Sequence, residues 1–110
     1  MGEIMSNLND LGKEIISINK ENGWNVVQPH DWHLSEHKIP AILALITSET
    51  SEALEAFRKN DIENFSEECA DQIIRVLDLT AGLGIDIDKA VRSKLEKNKQ
   101  RGYRHGGKRV

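Results

Sequence analysis

Apolar residues recur at helical spacing in four segments of the chain, and glycine, proline or Asx residues separate them. The first segment runs from about Ser6 to Glu21, with Leu8, Leu11, Ile15 and Ile18 on one face and Gly23 as its stop. From Trp24 to Leu34 there is no clean period, and Pro29 interrupts, so this stretch reads as a loop. A second helix is expected from near Ser35 to about Lys59, with Pro40 tolerated in its first turn. Its apolar stripe is Ile42, Leu45, Ile46, Ala53 and Ala56. Asp61 is suited to cap a third helix reaching Ala81, whose apolar arc runs through Phe65, Cys69, Ile73, Ile74, Val76 and Leu77. Gly82 and Gly84 stop it. Asp86 then caps a fourth helix from Ile87 to about Arg101, which Gly102 ends. The remainder, about residues 103–110, carries the Gly106-Gly107 pair and reads as a flexible basic tail.

These elements predict an all-α fold, a bundle of four to five helices in one domain spanning residues 1–110. Composition agrees: 38% hydrophobic and 30% charged residues with only two prolines describe a soluble helical chain better than a turn-rich sandwich. A chain of 110 residues buries a limited fraction of its surface, so oligomerisation is a natural way to complete the core. Cys69 is the sole cysteine, which excludes an intrachain disulfide. Polar residues interrupt every apolar run before Trp24, and no run is long enough to span a bilayer, so the expected compartment is the cytoplasm.

Net charge is −3, but its distribution is more informative. Between Glu49 and Asp71 there are eight acidic residues against Arg58 and Lys59, whereas Lys89 to Val110 holds nine basic residues and one acid, Glu96. An acidic middle beside a basic end suits a metal site next to a polyanion site, though solvated helix faces would give the same bias.

The second helix carries the sharper signal. Continuing the stripe 42, 45, 46 at helical spacing leads to 49, 52 and 53, so Glu49 and Glu52 stand where the apolar face continues. A carboxylate facing a core is costly unless it is paired or bound to a cation. Glu68 and Asp71 repeat the same i, i+3 spacing at one edge of the third helix's apolar arc. Two antiparallel helices can bring these four acids together, and hard divalent cations with oxygen preference relieve their repulsion. Mg²⁺ takes carboxylates together with substrate phosphates, which points to a phosphoanhydride substrate. The opposing account is an acidic helix surface paired to Lys or Arg in solvent.

On the fourth helix, Lys94, Asn98 and Arg101 share a face. Tyr103, Arg104, His105 and the glycine pair follow, a combination able to wrap a polyphosphate. Glu49-Thr50-Ser51-Glu52, fifteen intervening residues, then Glu68-Cys69-Ala70-Asp71 resembles the ExxE…ExxD signature of the all-α NTP pyrophosphatases. The runs ALITSETSEALEAFR, FSEECADQIIRVLDLTAGLGIDID and KLEKNKQRGYRHGGK are similar to MazG-like nucleotide pyrophosphohydrolases. That resemblance covers about Trp24 to Lys108 and implies a helical fold that forms a homodimer or a dimer of dimers, Mg²⁺ (or Mn²⁺) dependence, and hydrolysis of an NTP or dNTP to the monophosphate and pyrophosphate. By position it places metal and catalytic roles on Glu49, Glu52, Glu68 and Asp71. Phosphate contacts fall on Lys94 and Arg101, and Asn98 lies near sugar or phosphates. Tyr103 and Trp24 complete the expected substrate contacts.

Other features carry less. His33 and His37 are i, i+4 if helical and invite a zinc reading with His30, but no Cys or acid completes the set. Trp24 or Trp32 can stack on a base, although tryptophans in small domains more often serve a core or an interface. Cys69 reads as a small buried apolar residue. Two alternatives to a triphosphate hydrolase remain: a non-catalytic helical module whose basic tail binds nucleic acid or a partner, and a phosphoribosyl-ATP pyrophosphatase with the same metal logic.

Overall fold

A computed structural model describes residues 7–34 and 36–101, and these form five helices. They are α1 (Leu8–Glu21), α2 (Asp31–Leu34), α3 (Lys38–Arg58), α4 (Ile62–Leu83) and α5 (Ile87–Arg101). The all-α expectation holds. The short α2 corrects the reading of Trp24 to Leu34 as loop throughout. Asp31 folds that turn back: its buried carboxylate accepts from the Gln28 backbone N–H at 2.7 Å and from Lys38 Nζ at 3.2 Å. Gln28's amide, then Lys38, hold the Asp31 carboxyl below its ordinary range.

Local chemistry sets the other boundaries. Asn7 and Asp10 form a capping box at the start of α1. Pro40 sits in the first turn of α3, where its missing N–H costs nothing. The Asp61 side chain accepts from the Asn64 N–H at 3.0 Å and starts α4. Gly84, at φ 78°, closes α4 in the left-handed conformation that glycine adopts without penalty. Lys89 N–H donates to the Asp86 carboxylate at 3.0 Å, which caps α5.

α3 and α4 form the principal pair, and α1 packs on the other side of α4. The pairs Thr50–Gln72 and Arg75–Glu49 show α3 and α4 running antiparallel, since partners on one helix descend as those on the other rise. The turn between them passes through Asn60 at φ 58°, a conformation asparagine tolerates. α5 packs mainly on α1 and α4. The core is small: Ile15, Val27, Ala53, Ala56, Leu77 and Leu79 are buried, while Leu43, Leu54, Phe57, Ile62 and Ile73 are exposed. No helix among the described residues is long and apolar enough to cross a membrane.

Two glycines allow close approach inside helices. A Cβ on Gly12 would stand 2.9 Å from the Ala81 Cβ, so glycine lets α1 reach α4. A Cβ on Gly82 would collide with the Val27 carbonyl oxygen, a backbone atom that no rotamer change removes. Val27, from the segment between α1 and α2, is the largest fully buried side chain, so Gly82 is its seat. Helix propensity alone favours alanine at an interior glycine by about 1 kcal/mol. Overpacking costs roughly 1–3 kcal/mol, and a backbone clash belongs at the upper end. Gly82→Ala is therefore expected to destabilise by about 2 kcal/mol net in urea unfolding. A more stable variant would show that the Val27 segment yields readily.

Candidate metal centre

The α3–α4 seam carries the acidic cluster. Glu49 is buried at 8% exposure, where the apolar stripe of α3 requires it. Glu68 is half-buried and Asp71 exposed, in keeping with their place at the edge of the α4 arc. One carboxylate oxygen from each of Glu49, Glu68 and Asp71 lies within 4.8 Å of the others. Glu52 is exposed, in contrast to its place on the apolar stripe, yet its charge still acts on Glu68. Thr50 Oγ1 donates to Gln72 Oε1 at 2.6 Å and ties the two helices beside the cluster.

The electrostatics are those of crowded like charges. Desolvation, then the charge of Glu52, then hydrogen bonding and charge from Glu49, push the Glu68 carboxyl up to about 7. Although the residue is only half-buried, its Oε1 atom is sealed from solvent and meets no N–H or hydroxyl donor among the described residues, only the neighbouring carboxyls. A sealed oxygen without a donor, beside two further carboxylates, is what a divalent cation with oxygen preference would satisfy. The donor set therefore fits Mg²⁺ or Mn²⁺.

Arg75 is the residue that sequence reasoning missed. Its Nε donates to Glu49 Oε2 at 3.0 Å, with both side chains largely withdrawn from solvent. The signal was present: Arg75 is the sole basic residue between Lys59 and Lys89, and it lies one turn after Asp71 on the same helix face. A lone cation in the run Ile73-Ile74-Arg75-Val76-Leu77, partly withdrawn from solvent, is suited to pair with the buried Glu49. Each answers the other.

The basic residues are not brought to the cluster within one chain. Lys94, Asn98 and Arg101 lie on α5, which is exposed along its second half and packs mainly on α1 and α4. Tyr103 and the tail fall outside the described residues. Trp24, 64% exposed, lines a cleft whose wall also includes Asp71, so this aromatic does border the acidic seam. Trp32 is equally exposed, but on α2. Among the described residues the only group of His, Cys, Asp and Glu side chains close enough to share an ion is Glu49, Glu68 and Asp71, so the histidines assemble no zinc site. Cys69 is half-buried.

The sign of the pH dependence follows from Glu68. Its carboxyl, pushed up to about 7 in the folded chain, stands above the ordinary value of 4.5, so the native state keeps a proton that the unfolded chain releases between those values. The stabilisation is complete below that window and is lost as pH rises through it. Metal-free protein should therefore show a falling Tm from about pH 5 to about pH 7.5, and Glu68→Gln should flatten that slope. An undiminished slope in the variant would assign the dependence to another group.

The family model of the MazG nucleotide pyrophosphohydrolase domain matches residues 38–105, which take in α3, α4 and α5. Searches of curated proteins and of solved structures return no match.

Proposed function

Since the chain belongs to the MazG nucleotide pyrophosphohydrolase family, we propose that it hydrolyses a nucleoside or deoxynucleoside triphosphate to the monophosphate and pyrophosphate, using Mg²⁺ or Mn²⁺. The observation that carries this reading is the sealed Glu68 Oε1 inside the convergent carboxylates of α3 and α4. Acids gathered for solubility would stay in water, and their charges would spread apart.

In this reading Glu49, Glu52, Glu68 and Asp71 hold the metal. Bound Mg²⁺ supplies Lewis acidity and neutralises charge on the phosphates. The chain's own residues orient the reaction. Arg75 fixes Glu49 by donating from Nε to Oε2, which leaves Glu49 Oε1 free to serve as a metal ligand. A carboxylate of the cluster, or neighbouring Glu67, accepts a proton from the attacking water. Trp24 offers a ring face to the base beside Asp71.

Lys94, Asn98 and Arg101 are assigned to the phosphates and the sugar, with Tyr103 beside them. Because α5 lies away from the seam in one chain, this assignment is paired with assembly. A second copy packed on exposed apolar positions such as Leu43, Leu54 and Phe57 would cover them and bring a basic helix to the acidic seam.

A screen of the eight common NTPs and dNTPs tests the chemistry. Pyrophosphate release is expected with Mg²⁺ and should stop on adding EDTA. Glu52→Gln and Asp71→Asn should each lower turnover at least about a hundredfold while circular dichroism stays helical, since each removes a charged ligand and little volume. Near-normal turnover in either variant rejects the four-carboxylate site; no release from any nucleotide favours a binding module. Light scattering tests the assembly, with at least a dimer expected at micromolar concentration. A mass near the monomer's 12.4 kDa would refute it.

A further inference from the structure

Between the C-terminal half of α1 and the middle of α4 lies a cleft of about 380 Å³. That volume falls in the range of roughly 300–1,000 Å³ typical of small-molecule sites. Asp71 stands on its wall, and so do Trp24, Arg75, Asn19, Asn22 and Asp78. Asp71, Arg75 and Asp78 follow one face of α4 at i, i+4 and i+7, so the cleft leads away from the carboxylates along that face. From Asp71 to Asp78 the helix rises about 10 Å. A nucleotide whose phosphates sit at the acids would place its base toward the far end.

The polar groups at that end are held in place. Asn19 Nδ2 donates to Asp78 Oδ1 at 3.1 Å, across the α1–α4 junction and partly buried. That bond uses one carboxylate oxygen. No hydrogen bond among the described residues engages Asp78 Oδ2, and Asn19 keeps its own carbonyl oxygen as an acceptor. One turn back, Arg75 spends Nε on Glu49 at 3.0 Å, and its terminal nitrogens have no partner among the described residues. The cleft wall therefore offers a fixed acceptor at Asp78 beside a guanidinium donor at Arg75.

We infer that this cleft receives the nucleobase, and that Asp78, held by Asn19, selects bases bearing an exocyclic amino group over uracil and thymine. The inference rests on the nucleotide-hydrolase reading above. An exocyclic amine donates to a carboxylate oxygen, and in cytosine, adenine and guanine a ring acceptor lies nearby for Arg75. Uracil and thymine present carbonyl oxygens flanking a single N–H, so their lone pairs meet the Asp78 oxygens. A site built to bond a substrate's exocyclic amine disfavours an analogue that carries a carbonyl there, because the part-buried Asp78 oxygen then faces a lone pair instead of a donor. If Asn19–Asp78 were only a tie between helices, it would carry no preference among bases.

The test separates binding from hydrolysis. In a Trp32→Phe background Trp24 is the sole tryptophan, so its fluorescence reports occupancy of the cleft. Titration with CMP, AMP, GMP and UMP in Mg²⁺ avoids turnover. At least one amino-bearing monophosphate should quench Trp24 and bind about ten- to a hundredfold more tightly than UMP. Asp78→Asn, which puts an amide N–H₂ in place of an acceptor, should collapse or reverse that ratio. Equal or tighter binding of UMP in the unsubstituted cleft overturns the inference, whatever the variant does. So does an unchanged ratio in a folded Asp78→Asn protein, or a Trp24 signal that answers to none of the four. Selective binding without pyrophosphate release from any triphosphate would leave the base site standing and remove the hydrolase reading. Release without base preference would do the reverse.

Discussion

Repulsion among carboxylates at one helix seam is the constraint on which the rest of this structure depends. Glu49, Glu68 and Asp71 converge within 4.8 Å, Glu52 adds its charge, and Arg75 is the one cation the described residues set against them, at Glu49. One guanidinium does not balance four acids. The metal-free chain offsets part of the remainder by holding a proton on Glu68 below neutral pH, since that carboxyl is pushed up to about 7. Desolvation alone would raise that group, but Glu52 and Glu49 raise it further, and they come from the facing helix. The cost thus belongs to the α3–α4 pairing itself. Proton and divalent cation are alternative ways of meeting it.

The surrounding fold reads as the means of holding that pairing. Ala53 and Ala56 follow the acids on α3, and small side chains there let the helices approach closely. Gly12 and Gly82 do the same for α1 and the Val27 segment against the other side of α4. Glu68 and Asp71 are therefore carried on a helix supported from two sides. The buried core is small among the described residues, and several apolar residues of α3 and α4 stay exposed. The proposed assembly would draw on the same two helices that carry the acidic cluster.

Much of this was legible along the chain. Glu49 and Glu52 announced themselves because they interrupt an apolar stripe, and a period of 3.6 residues is a strong constraint over a helix of 21 residues. Asp61, Asp86 and Gly84 marked helix ends through cap chemistry that depends on neighbours a few residues away. The short α2 was not visible, since one turn of helix shows no periodicity and is fixed by the Asp31 contacts to Gln28 and Lys38. Arg75 was visible and passed over: its meaning lies in Glu49, twenty-six positions away. The direction of α5 is another long-range matter. Its Lys94, Asn98 and Arg101 share a face in any helix, but only docking on α1 decides where that face goes.

The central claim is that the cluster is a divalent-cation site whose apo form holds a proton on Glu68. Calorimetric titration of Mn²⁺ at about pH 6.5, in two buffers of different ionisation enthalpy, tests both halves at once. The account predicts saturable binding with a buffer-dependent enthalpy that reports proton release, and loss of both in Glu68→Gln. Absence of saturable binding to the native chain, or binding with the same proton release in the variant, would contradict it.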